Sequence, residues 1–213
     1  MAESIFTFTH PAIMAHPTLI TPRSFKNKKT GKELGEAKFG ASFVLDRDHP
    51  DLAPFKQLCV EVARGAGANP KDVAKWPFKS GTKLADDRKA VCEAAGKTPD
   101  GEYQRDKAVI AGRSKFPPSL AFLEGKRIVE LDNEQAIKAN AGKFYFGVLA
   151  LPRLALVFTD IDGKKQVSAY LNMVLSLNKG QRLGATRSAA EVFKGYAGQV
   201  SDIDPTDDDD IPF

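Results

Sequence analysis

Residues 143–178 constrain the fold more than any other stretch. Two long segments rich in apolar and β-branched residues, "KFYFGVLALPRLALVFTD" and "VSAYLNMVLSLN", lie on either side of "IDGKKQ". The Asp162-Gly163 pair suits the left-handed backbone of a tight turn, so the spacing predicts one long β-hairpin. On its second strand Val167, Ala169, Leu171, Met173, Leu175 and Leu177 fall on one face. Ser168, Tyr170, Asn172 and Ser176 fall on the other, which gives the strand one wet side. Pro152 interrupts the first strand and predicts a bulge or an edge position there. Alternation also sends Phe144 and Phe146 one way and Tyr145 the other, which places one of these faces in the core.

The first half of the chain carries further strand signals. "SIFTFTHPAIMAHPTLITP" reads as strand material broken at Pro11 and Pro17. A lysine-rich connection around Thr30-Gly31 reads as a hairpin turn. "KFGASFVLD" then follows as a strand with Phe39, Ala41, Phe43 and Leu45 on one face. "DLAPFKQLCVEVARGAG" has helical spacing: Leu52, Phe55, Cys59 and Val62 recur every three or four residues, and Gly65 is placed to end the helix. Cys59 is therefore expected in the core.

Residues 63–118 are rich in Gly, Pro and Lys, with one short helical piece, "LADDRKAVCEAAG". They read as a long irregular insertion, a kind of segment that is usually functional. "TRSAAEVFKG" predicts a short helix with Thr186 as its N-cap. Four or five strands, long loops and few helices predict a mainly β fold. An oligonucleotide-binding (OB) barrel with helical and loop insertions fits best, and a sandwich is also compatible with the pattern. The expected organisation is one domain over 1–198, containing the insertion at 63–118, and a disordered acidic tail over 199–213.

That tail stands against a basic body. From Asp202 onward there are six aspartates and no Lys or Arg. Removing those six from the 27 acidic residues leaves 21 against 31 basic ones, so residues 1–201 carry +10. A body of that charge attracts polyanions, nucleic acid above all. A block of like charge at a terminus is often an interaction tail. No run approaches the roughly 20 apolar residues of a membrane helix. "MAESIFTFTH" lacks the basic opening of a signal peptide. Two cysteines, Cys59 and Cys92, and histidines at 10, 16 and 49 are too few for a disulfide framework or a closed zinc site, and suit a reducing cytoplasm.

Catalytic chemistry has little to stand on. "LDRDHPD" gathers Asp46, Asp48, His49 and Asp51, which could form the metal site of a nuclease. The plainer reading is a polar turn before the helix, with Asp48 or Asp51 as its cap. Asp86-Asp87 sits at a helix start among basic residues, where pairing and the helix dipole account for it. No phosphate-binding loop, nucleophile elbow or cysteine-pair motif is present. The expectation is a protein that is not an enzyme and uses no cofactor or metal.

Aromatic residues interleaved with cations point elsewhere. Unpaired polynucleotide is held by a basic groove that follows its phosphates and by rings on which bases stack, each stack contributing roughly 1–3 kcal/mol. Lys38-Phe39, Lys75-Trp76, Phe78-Lys79, Tyr103 near Arg105, Lys115-Phe116 and Lys143-Phe144 have this chemistry, and Arg113 belongs to the same basic series. Trp76 and Tyr103 lie in polar stretches where burial is hard to arrange. Lys179, Arg182 and Arg187 in "NKGQRLGATR" have no acid nearby, as either a solvated loop or a phosphate-contacting rim.

The end of the chain, "DDDDIPF", resembles the acidic tip of bacterial single-stranded DNA-binding proteins. The body is similar instead to a family of phage single-stranded DNA-binding proteins first catalogued as a domain of unknown function. The likeness runs over about residues 5–195, through "KFGASFVLD", "KSGTKLADDR", "SKFPPSL" and "FYFG…VFTDIDGKK…NKGQRLGA". Where that family has a glycine-cysteine-tyrosine strand this chain reads "FGVLA", which leaves Tyr145 as the substitute ring. The resemblance implies an OB-type fold and a tail, Asp207, Asp208, Asp209, Asp210, Ile211, Pro212 and Phe213, that competes with DNA for the groove and recruits partners.

The combined expectation is a sequence-independent single-stranded DNA-binding protein of phage replication or recombination. It would work in the cytoplasm of the infected bacterial host, contact no membrane and meet replication or recombination proteins through its tail. Its oligomeric state is left open. Alternatives are a strand-annealing or recombination mediator, a protein-interaction adaptor with a basic face, and the nuclease of the Asp46–Asp51 cluster.

Overall fold

A computed structural model describes residues 4–26, 33–96, 98–99 and 101–183. The predicted helix at Thr186 and the whole acidic tail, with the expected boundary at 198/199, lie outside these residues. Nine strands and three α-helices occur among the described residues: β1 (Ser4–Thr7), β2 (Ala12–Lys26), β3 (Glu33–Leu45), α1 (Leu52–Gly65), β4 (Phe78–Ser80), α2 (Gly81–Ala94), β5 (Ala108–Ser114), β6 (Ser119–Glu124), β7 (Arg127–Leu131), α3 (Glu134–Ala139), β8 (Leu149–Ile161) and β9 (Lys164–Ser176).

Five of these strands close on themselves. β2 pairs with β3, β3 with β5, β5 with β9, β9 with β8, and β8 returns to β2. Every link is antiparallel except β5–β9, which is parallel. The ring is partly open, because β5 meets β9 directly only at Gly112↔Ala169 and β2 meets β8 only at two residue pairs. This is the OB arrangement. β6 and β7 extend the sheet from β9, and β1 adds to β8.

The predicted hairpin is present as β8–β9, with Asp162 (φ 52) and Gly163 (φ 74) both left-handed, as a type I′ turn requires. Its faces are not as simple alternation predicts. Opposite Pro152 and Arg153 the register slips, so that Leu154 faces Leu171 while Arg153 faces Met173. One extra residue on β9 reverses the alternation. Val167, Ala169 and Leu171 point inward, but beyond the bulge Val174 and Ser176 are buried and Met173 is 39% exposed. Pro152 offers no N–H to a ladder, and the bulge falls where that donor is missing. The hairpin also starts later than expected. Residues 141–143 form a 3-10 turn, and 144–148 are a loop rather than strand, so Phe144 is buried by loop packing and not by alternation.

The other elements follow their patterns with adjustments. Pro11 separates β1 from β2, and Pro17 sits at a register shift beside His16, whose φ is 47. β2 and β3 form the expected hairpin, with the turn around Thr30-Gly31 outside the described residues. α1 buries Leu52, Phe55, Cys59 and Ala63 against β1, β8 and β9, and Gly67 (φ 76), not Gly65, provides the left-handed exit. Burial pushes the Cys59 thiol up to about 12, which suits a core residue rather than a reactive one. Phe6, Phe8 and Phe55 meet edge to face where α1 covers the barrel.

Asp51 does not cap α1 with its side chain. Its carboxylate instead accepts from Thr9 N–H (2.9 Å), Thr9 Oγ1 (2.8 Å) and His10 N–H (2.7 Å), pinning the β1–β2 connection to the helix start. The segment 63–118 is also more regular than expected. It ends in β5, a barrel strand, and α2 begins at Gly81, three residues before the predicted helical piece, with Ser80 as its cap. No helix among the described residues is long and apolar enough to cross a membrane.

Candidate nucleic-acid interface

The gap between β5 and β9 is filled from outside. Residues 74–80 lie across it, bonded to β9 on one side and β5 on the other. Ala74 N–H donates to Lys165 O, Val167 N–H donates to Lys75 O, and β4 pairs with β5 from Phe78↔Ile110 to Ser80↔Ala108. This holds Trp76 over the ring with its indole half-buried, stacked on Phe78 at 5.7 Å and 25°. The backbone then turns directly into α2, which overhangs the outer face of β3 and β5.

α2 is fixed from behind. A Cβ on Gly81 would come within 1.9 Å of Gln104 O, so only glycine lets the helix start rest on the 102–104 turn. Arg105, expected to contact nucleic acid, grips Glu102 through two hydrogen bonds (2.7 and 2.9 Å) and reaches Asp86 of α2 at 2.9 Å. Hydrogen bonds to Glu102 and Asp86 hold its guanidinium above its ordinary range. Its described contacts are those of a brace.

Two cavities, of about 580 and 700 Å³, lie beneath α2 and share Lys38, Leu84, Asp87 and Arg113. The first has His16, Phe39 and Tyr103 in its walls, and the second has Trp76, Phe78 and Tyr170. Together they make one cleft across the face of β3, β5 and β9. Among the described residues seven cations line it, Arg23, Lys38, Lys75, Lys79, Lys83, Arg88 and Arg113, and one acid, Asp87. Arg113 lies in the shared wall, where loss of water lowers its pKa from the usual arginine range. Gly40 and Arg113 pair across the floor, and a Cβ on Gly40 would come within 2.6 Å of Gly112 O, so glycine keeps the floor flat.

Seven of the thirteen nucleic-acid candidates, Lys38, Phe39, Lys75, Trp76, Lys79, Tyr103 and Arg113, therefore share the cleft. The others do not line it. Lys115 pairs with Glu36, and Phe116 is 78% exposed on the turn after β5. Lys143, Tyr145 and Arg182 lie elsewhere, in the segments before β8 and after β9. The Lys143 ammonium stands 5.4 Å from the Phe122 ring centre, and the Arg182 guanidinium lies 4.6 Å over Tyr145, whose hydroxyl donates to Gly180 O. One face of Tyr145 is thus already covered.

Sequence reasoning missed Arg23, Lys83, Arg88, His16 and Tyr170 as cleft residues. Tyr170 left a legible signal, an aromatic on the wet face of β9. His16 left none, because its place depends on the bulge at Pro17; its Nε2 lies 3.0 Å from the Tyr103 hydroxyl and its ring 4.7 Å from Phe146. The Asp46–His49–Asp51 group is engaged otherwise. Asp46 pairs with Lys107 at 3.0 Å, Asp51 holds Thr9 and His10, and His49 Nε2 lies 3.2 Å from Pro11 O. No cluster of three or more potential ligands for a metal occurs among the described residues.

A partly open OB ring carrying a cation-lined, ring-studded cleft across its face defines a class of oligonucleotide-binding barrel. The chain belongs to the family of the Enterobacter phage Enc34 ssDNA-binding protein, whose profile matches residues 12–208. Its fold is that of the single-stranded DNA-binding protein from bacteriophage Enc34. In complex with ssDNA that protein superposes with a TM-score of 0.56 at 18% identity, covering 82% of this chain and 87% of the other. Its C-terminal truncation superposes at 0.57 and 17% identity, covering 82% and 86%. No curated protein matches the sequence.

Proposed function

We propose that this chain binds single-stranded DNA without regard to sequence, in phage replication or recombination within the infected bacterial cytoplasm. The observation that carries the reading is the cleft, in which, among the described residues, seven cations and one acid share the walls with Trp76, Phe39 and Tyr103. Such a cleft suits a polyanion whose bases are free to turn toward the rings; in a duplex those faces are stacked on one another. Membership of the Enc34 family supports the same ligand.

The tail enters the proposal through charge. The described chain leaves the barrel at Leu183, whose N–H donates to Phe146 O, and Phe146 lies 5.1 Å from Tyr103 of the cleft wall. From Leu183 to Asp202 the chain can span up to about 60–70 Å, more than enough to bring the aspartates to the cleft. They would compete there with DNA, and once displaced, Ile211 and Phe213 would be available to partner proteins of the replication machinery.

The test is equilibrium binding of the full chain to oligothymidylate and to a duplex of equal length. Binding confined to the single strand is expected. Equal affinity for both would favour a generic basic face.

A further inference from the structure

The cleft does not stop at β4. On the far flank of that strand a third groove, of about 480 Å³, shares Phe78, Lys79 and Ser80 with the cavity under Trp76. Its remaining walls come from the turn after β3, from α1 and from residues 107–108 at the start of β5, and they bring Arg47, Lys56 and Lys107 to join Lys79. The two grooves are connected by a continuous stack. Trp76 lies parallel to Phe78, and the Lys56 ammonium stands 5.6 Å from the centre of the Phe78 ring. A strand with a base against Trp76 therefore has cations directly ahead of it.

The ion pairs in this groove suit a site meant to exchange partners. Arg47 meets Asp106 at 3.0 Å with both side chains mostly exposed. Exposed pairs of this kind contribute about 0–1 kcal/mol, so a phosphate can replace the carboxylate at little loss. Lys107 differs, being 28% exposed and paired with Asp46, and it fits a structural role. We infer that Arg47, Lys56 and Lys79 form a second stretch of the phosphate track, receiving the strand after it passes Trp76 over β4. This rests on the cleft being the single-strand site, and it sets a direction of travel across the molecule that the cleft alone does not.

The test compares lengths of DNA. An oligothymidylate of about 6 nucleotides can be held by the cleft alone, whereas one of about 20, longer than the ~4–16 nucleotides of one OB barrel, is long enough to reach past β4 into the second stretch. The double variant R47A/K56A, both at exposed positions, should bind the long strand about tenfold more weakly at about 0.1 M salt, with its log–log salt slope reduced by about 1.4, as expected for two lost phosphate contacts. Its affinity for the short strand should stay within about twofold of the parent. Loss of equal size on both lengths, or on neither, would overturn the inference. Unchanged thermal melting checks the fold, and R47E/K56E should enlarge the same length-selective loss. W76A in parallel separates the two readings: if it binds both lengths as the parent does, the cleft itself is not the site.

Discussion

At the residue scale, Asp51 shows how a polar turn can become a structural clasp. Burial raises the pKa of its carboxyl, but hydrogen bonds from His10 N–H and from the Thr9 hydroxyl and N–H outweigh that effect and leave it below the ordinary value. A carboxyl lowered in this way adds stability that is complete above its unfolded pKa of about 3.9 and is lost as pH falls through the folded value. Asp51→Asn should therefore melt below the parent at neutral pH, and the difference should close as pH drops below about 4. A difference that persisted unchanged at pH about 3 would show that the clasp does not depend on the carboxylate charge. The sequence placed Asp51 at the right turn but gave it the wrong work. Its partners are some forty residues away, and no local pattern announces them.

At the element scale, α2 and the 74–80 segment make the cleft, and their roles separate brace from contact. Arg105 ties α2 to the 102–104 turn, while Lys38 faces the cleft floor. Lys38→Ala should weaken binding and lower the salt slope by about 0.7, one single-strand phosphate contact. Arg105→Ala should weaken binding while leaving that slope unchanged, with faster hydrogen exchange in α2 as its signature. Equal slope changes in the two variants would make Arg105 a phosphate ligand after all. The same distinction explains what was legible. Long elements with a strong period, the β8–β9 hairpin, β3 and α1, could be read because burial imposes their pattern. The β9 bulge, the loop at 144–148 and the β6–β7 hairpin could not, since register and short strands are settled by partners remote in sequence. Trp76 could be picked out because an indole among lysines has few places to hide. Tyr145, offered as the substitute ring, does not line the cleft, and nothing local announces this because the arginine over it arrives from beyond β9.

At the scale of the whole molecule, charge is divided between a +10 body and a run of aspartates. Removing Asp207 to Phe213 should tighten binding to single-stranded DNA at low salt, and the gain should fade as salt screens both surfaces. Affinity unaltered by the deletion in dilute buffer would contradict competition by the tail. The central claim is that a cation-lined cleft bearing Trp76 grips unpaired DNA, and Trp76 is the only tryptophan in the chain. Titrating the protein with oligothymidylate while following tryptophan fluorescence across a range of salt tests it most directly. The account predicts quenching at low salt and an affinity that falls steeply and log-linearly as salt rises. Fluorescence unmoved by saturating DNA, or an affinity indifferent to salt, would contradict it.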